Sequence, residues 1–231
     1  MSELIVSLDI SEWKQLNDIV EKLGENVNYY KIGAIPFTAF GIDVVKMLQQ
    51  RGKKIFLDLK FFDIPNTVGK AVEIACDMGI SLLTVHISGG KRMLGSAVNA
   101  RNKKGCETKI IGVTVLTSFF QDDLAETGIN EDINFQITRL ADIGYQSGID
   151  GIVCSVPDLK FLRNKFPEKF LMICPGIRPF DTKDDQKRVA TVSLAVKSGA
   201  DFIVVGRPII ESKNPVAVVE QIRREMKENE Q

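Results

Sequence analysis

IIGVTVL, residues 110–116, carries apolar side chains at both its odd and its even positions. Successive side chains of a strand point to opposite faces, so a strand with one wet face alternates apolar and polar. A run apolar at both parities suits a strand covered on both sides, as in a parallel sheet sheathed by helices. DFIVVG, residues 201–206, reads the same way. The segment upstream of 110–116 is amphipathic over 90–103, opening at Gly89-Gly90 and closing at Lys103-Lys104-Gly105.

Worked outward, this alternation covers the whole chain. Strands are predicted at 4–9, 29–33, 54–60, 82–87, 109–116, 151–155, 170–174 and 202–206. Helical periodicity fills 11–23, 37–50, 66–78, 90–103, 132–147, 157–165, 185–198 and 215–228. Eight strand–helix units predict an α/β fold, a (β/α)8 TIM barrel, as a single domain over residues 1–231. An open doubly wound sheet is the competitor, and no G-x-G-x-x-G follows the first strand to support it. No linker or low-complexity tract interrupts the pattern.

Composition narrows the partners. The chain has 231 residues, 30 basic and 30 acidic, for a formal charge of +0. That balance argues against nucleic acid or a membrane surface held by bulk electrostatics. No apolar run approaches the ~18 residues of a membrane span. The N-terminus lacks a basic, apolar, small-residue leader, so no signal peptide is expected. The 4 cysteines are scattered, a spacing that suits neither a zinc knuckle nor a disulfide scaffold. Cys154 and Cys174 lie in apolar runs and are expected in the core, and a cytoplasmic location is expected. The single histidine, His86, excludes a multi-histidine metal site. It is expected as a hydrogen-bonded wall residue. Trp13 is expected to pack. The Phe pairs at 61–62 and 119–120 are expected in the core or a dimer surface, and Lys53-Lys54 on a solvated face.

Chemistry in such a barrel sits at the C-terminal ends of the strands. The polar groups at those ends are Asp9, Lys31, Asp58, Lys60, His86, Thr117, Ser155 and Arg207. Charges beside apolar runs are costly unless paired or used. The densest group lies in IFLDLKFFDIPNT, residues 55–67. Asp58 and Lys60 are two apart, which on a regular strand puts them on one face. Asp63 follows in the loop, and Pro65 opens the next helix. A lone D-x-K is more often a structural ion pair, but the added Asp63 and Lys31 point to chemistry. A second group is VVGRPI, residues 204–209, where Gly206 allows close approach and Arg207 offers a guanidinium fork for an anion. PGIRPFDTKDDQKR, 175–188, is polar and long enough for a lid.

The D-x-K-x-x-D-I-P-x-T pattern of DLKFFDIPNT resembles the signature of the orotidine 5'-phosphate decarboxylase family. SLD at 7–9, YYKIG at 29–33, VLTS at 115–118, CPGIRP at 174–179, Gln186 and VVGRPI at 204–209 agree in order and spacing. One departure is Phe62, where bacterial members commonly carry His. The resemblance implies conversion of orotidine 5'-phosphate to uridine 5'-phosphate in pyrimidine biosynthesis, with no metal and no cofactor. It implies Lys60 as proton donor, with Asp58 against the substrate carboxylate. Lys31 would hold the charge network and touch the ribose, and Asp9 would bind a ribose hydroxyl. Thr117 would mark the loop at the pyrimidine edge, and Pro175, Arg178, Gln186, Gly206 and Arg207 the phosphate side. It also implies a homodimer in which Asp63, Ile64 and Thr67 reach the neighbouring site.

The chemistry needs these residue types. Loss of CO2 from C6 leaves a vinyl carbanion with no adjacent π-system, so the protein must stabilise it electrostatically and protonate it. An ammonium does both. The nearest rival is a magnesium-dependent phosphosugar decarboxylase or aldolase on the same barrel. It would place an acidic residue where Lys31 stands and Gly-containing sequence after Asp63. A catalytically silent barrel that only binds a phosphorylated ligand has no need of Lys31, Asp58 and Lys60.

Overall fold

The structure is a computed structural model that describes residues 2–179 and 190–229. Its strands are β1 (Glu3–Ser7), β2 (Tyr29–Ile32), β3 (Lys54–Phe61), β4 (Leu82–His86), β5 (Lys109–Val113), β6 (Gly151–Val153), β7 (Leu171–Cys174) and β8 (Phe202–Val205). They follow one another in sequence order as a closed barrel, β1 to β8. The helices are α1 (Trp13–Leu23), α2 (Ala34–Phe40), α3 (Ile42–Gln50), α4 (Pro65–Asp77), α5 (Gly90–Lys104), α6 (Gln121–Glu126), α7 (Ile133–Gln146), α8 (Val156–Lys165), α9 (Val192–Lys197), α10 (Arg207–Ile210) and α11 (Pro215–Asn229). The (β/α)8 TIM-barrel expectation is therefore met. The chain divides into two compact units, Met1–Leu59 with Ile173–Gln231, and Lys60–Met172.

In the first unit β1 pairs in parallel with β2 and β8, and β2 with β3. Ser7 lies opposite Lys31, and Lys31 opposite Phe56. The strands are fully buried at Ile5, Val6, Tyr30, Ile32 and Val205, as runs apolar at both parities require. Helix α1 buries Leu16, Ile19, Val20 and Leu23, the one-face spacing of a 3.6-residue period. The predicted helix 37–50 is two helices, α2 and α3, parted at Gly41 with φ +57°. Side-chain periodicity cannot reveal that break, because a positive φ leaves the apolar pattern on either side intact.

Lys53 is a correction to the solvated-face expectation. It is 8% exposed, and its Nζ donates to the Gly24 carbonyl at 2.8 Å, just past α1. A cation at a helix C-terminus satisfies the last carbonyls there. Lys54 lies over the Tyr29 ring, 5.0 Å from its centroid. Trp13 packs edge-on to Phe40 at 5.1 Å.

In the second unit β5 pairs in parallel with β4 and β6, setting Thr84 opposite Ile111 and Ile111 opposite Gly151. Gly151 is required by close approach, because a Cβ there would run into the Leu171 carbonyl. Asp150 ties the strand entrances together, accepting from the Ile110 N–H at 2.8 Å and from Arg101 Nη1 at 2.5 Å. Helix α7 starts at Asp132, which accepts from the N–H groups of Asn134 and Phe135 at 2.9 and 3.1 Å. Helix α8 starts at Ser155, whose N–H donates to Asp158 at 3.0 Å. Burial holds the Asp158 carboxyl above its ordinary range, against the lowering pull of its bonds to Ser155.

The cysteine spacing, which suits no disulfide scaffold, nevertheless leaves room for one bridge. Cys76 of α4 and Cys106 after α5 form a disulfide, with Cα atoms 5.8 Å apart. The packing of α4 on α5 brings together residues that sequence spacing alone leaves unrelated. Cys154 and Cys174 are buried, as expected. Among the described residues, no helix is long and apolar enough to cross a membrane.

Candidate active site

The first unit gathers charge from Asp9 just past β1, Lys31 one residue before the end of β2 and Asp58 within β3. Lys31 Nζ lies 3.3 Å from Asp9 Oδ1 and 3.5 Å from Asp58 Oδ2. The side chains of Lys31 and Asp58 are 13% and 12% exposed, while that of Asp9 is 43% exposed. One ammonium thus serves two carboxylates, one of them taken nearly out of water. Such a pair is tolerated only with close opposite charge. Asp9 is fixed from its other side, where Ser7 Oγ donates to Oδ2 at 2.7 Å.

Two glycines leave room for this cluster. A Cβ at Gly33 would stand 2.9 Å from Lys31 Nζ and 3.4 Å from Asp9 Oδ1. A Cβ at Gly206 would stand 3.2 Å from the Ser7 Cβ. Gly206 leads directly into α10, whose first residue is Arg207. Arg207 is exposed. After β7, Pro175 is half-buried, Ile177 buried and Arg178 exposed. The Arg178 N–H donates to the Ala190 carbonyl at 3.0 Å. Gln186, and with it most of the predicted lid 175–188, lies outside the described residues.

The second unit begins at Lys60. Its φ is +51°, the one positive value outside glycine among the described residues. Strand alternation therefore does not set the direction of this side chain as the D-x-K spacing suggests, because that rule holds only for extended backbone. The Lys60 N–H donates to Thr84 Oγ1 at 2.8 Å. Phe62 is 62% exposed, and its ring lies 5.7 Å from that of His86, the last residue of β4. Asp63 is exposed, and its Oδ1 accepts from the Ile64 N–H at 2.6 Å. Ile64 is 66% exposed, and Thr67 is exposed in the first turn of α4. Thr117 is exposed between β5 and α6. Phe120 is 67% exposed, so Phe62 and Phe120 are surface rather than core.

Three residues with structural claims on the site were not singled out in the sequence. Ser7 has a readable sign, the S-x-D spacing that sets it on the same side as Asp9. Gly33 and Thr84 have none, since one acts by lacking a side chain and the other by bonding a residue on another strand.

The chain has counterparts among known proteins. A sequence model of the family described as "Orotidine 5'-phosphate decarboxylase / HUMPS family" matches residues 2–222. A protein of Actinobacillus succinogenes named orotidine 5'-phosphate decarboxylase is 43% identical over 223 residues, 96% of this chain and 96% of that one. One of the same name from Legionella pneumophila is 42% identical over 226 residues, covering 97% of this chain and 99% of its own. The crystal structure of orotidine 5'-phosphate decarboxylase from Lactobacillus acidophilus superposes with a TM-score of 0.88 at 38% identity, covering 98% of this chain and 99% of that one.

Proposed function

The chain belongs to the orotidine 5'-phosphate decarboxylase / HUMPS family, and from that premise we propose that it converts orotidine 5'-phosphate to uridine 5'-phosphate and CO2 without metal or cofactor. The observation that carries this reading is the Lys31 ammonium held 3.3 and 3.5 Å from the carboxylates of Asp9 and Asp58. A magnesium ion requires such carboxylate oxygens for itself, and an ammonium among them repels it. The family name covers more than one activity, and this ammonium favours the metal-free one.

The C6–CO2 bond breaks with its electron pair left on C6, and Lys60 then gives a proton to that carbanion. Its positive charge stabilises the carbanion as it forms, which is where electrostatic catalysis acts most strongly. Asp58 faces the departing carboxylate. At ~3.5 Å and an effective dielectric of ~20, two such anions repel by ~5 kcal/mol, and the repulsion vanishes as neutral CO2 forms. The larger share of the acceleration comes from Lys60 in the transition state, since a preset ammonium needs no reorganisation when the charge appears. Asp9 and Lys31 hold the ribose, and Thr117 stands at the pyrimidine edge. Pro175, Arg178, Gln186, Gly206 and Arg207 hold the phosphate, whose binding energy is spent on assembling the site.

The active form is a homodimer, with Asp63, Ile64 and Thr67 given to the neighbouring site. The exposure of Ile64 and Thr67 supports this, because such groups are free to meet a second chain. The enzyme works in the cytoplasm. An ultraviolet assay with orotidine 5'-phosphate, run with and without excess chelator, tests the proposal. Loss of the orotate absorbance at equal rates in both arms is the expected result. Activity restored only by magnesium, or nucleotide binding with no change in absorbance, would overturn it.

A further inference from the structure

Lys60 alone among the described residues other than glycine has a positive φ, +51°. A Cβ crowds the following carbonyl in that region, so a side-chain-bearing residue stays there only when its surroundings hold it. Asn and Asp can bond their own backbone to ease the strain, but lysine cannot. Lys60 also stands inside β3, one residue before its end, where extended backbone is the default.

What meets Lys60 is Thr84. Its Oγ1 accepts from the Lys60 N–H at 2.8 Å, and Thr84 is 0% exposed. It stands in the middle of β4, among the buried apolar residues Leu82, Leu83 and Val85. Valine would fill this place with the same branched shape and no buried hydroxyl. A hydroxyl there is costly unless it has work as a hydrogen-bonding group. Threonine is also stiff about χ1, so its oxygen is aimed before Lys60 arrives.

The geometry points to Thr84 as a positioning residue for the proton donor: its hydroxyl holds Lys60 in left-handed backbone and thereby sets the direction in which the ammonium leaves the strand. This rests on the reading of Lys60 as proton donor. Without the acceptor, residue 60 relaxes toward extended backbone, and its Cα–Cβ bond swings away. A reacting group displaced by about 1 Å can lose on the order of a hundredfold in rate.

The test compares Thr84→Val, Thr84→Ala and Thr84→Ser with the parent and with Lys60→Ala. The two variants without an acceptor should lose roughly ten- to a hundredfold in kcat, with KM and affinity for uridine 5'-phosphate close to the parent values. Thr84→Ser should recover most of the loss. A crystal structure of Thr84→Val or Thr84→Ala should show a negative φ at residue 60. A parental kcat in folded Val or Ala variants, an equal loss in Thr84→Ser, or a φ still near +51° would overturn the assignment. Full turnover by Lys60→Ala would instead remove the proton-donor reading, while the φ measurement still judges the backbone role of Thr84.

Discussion

Lys31 gives one cation to two carboxylates, so its removal is felt in stability as well as in turnover. Lys31→Met should abolish decarboxylation and lower unfolding free energy by about 1–3 kcal/mol, because the largely buried Asp58 and its neighbour Asp9 lose the ammonium between them. Denaturant titration beside the ultraviolet assay reads both effects, and an unchanged midpoint would show that the pair carries no net stability. Lys60→Ala should differ, abolishing activity with the fold intact, and near-parental turnover would remove the donor. Asp158 offers a pH test. Its carboxyl is held above the ordinary value of 3.8 chiefly by burial. Folding therefore favours the protonated form, and stability falls as pH climbs from 3.8 through the raised value. Asp158→Asn keeps an acceptor for Ser155 and never ionises, so its gain in thermal midpoint should be larger near neutral pH than at about pH 3. An equal difference at both pH values would contradict the buried-carboxyl account. At this scale the sequence marked Asp9, Lys31 and Asp58, which the fold brings into one charge cluster, because charges at the ends of apolar runs stand out. It could not reveal the φ of Lys60 or the bond to Thr84, which depend on a contact between strands.

Helix starts and tight strand contacts set the elements. Asp132→Ala should cost about 1 kcal/mol, since the N–H groups of Asn134 and Phe135 lose their acceptor. Asp132→Asn should recover most of that, with thermal melting as the readout. Gly151→Ala should cost more, about 1–3 kcal/mol, because the new methyl meets the Leu171 carbonyl and the strand must shift. All eight strands were legible as short apolar runs, several of them apolar at both parities. Their ends were less so. The run 109–116 stays apolar beyond the ladder, which stops at Val113, while Thr114 turns its hydroxyl to the Val153 carbonyl at 3.4 Å. Thr114 is still buried and Val115 and Leu116 half-buried where pairing has stopped, so apolar character outlasts the ladder. Helix α6 escaped notice because it is short and held by a polar bond, the Phe120 N–H on Asp123 at 2.7 Å, rather than by an apolar stripe.

For the molecule as a whole, the proposed exchange of Asp63 between subunits has a direct check. Lys60→Ala and Asp63→Ala should each be inactive alone. Mixed dimers of the two carry one site with both residues intact, so activity should return when the variants are unfolded and refolded together. No return of activity would place Asp63 in its own subunit's site. Cutting the substrate back to its nucleoside should lower turnover as well as affinity, since phosphate binding energy is proposed to assemble the site. Gly33 has a consequence for anyone surveying this protein by saturation mutagenesis. A methyl at that position falls 2.9 Å from the amine of Lys31. Alanine at codon 33 should therefore spare the fold, since the tip of a lysine can give way, yet score poorly in a growth selection because the displaced amine no longer sits between its two carboxylates.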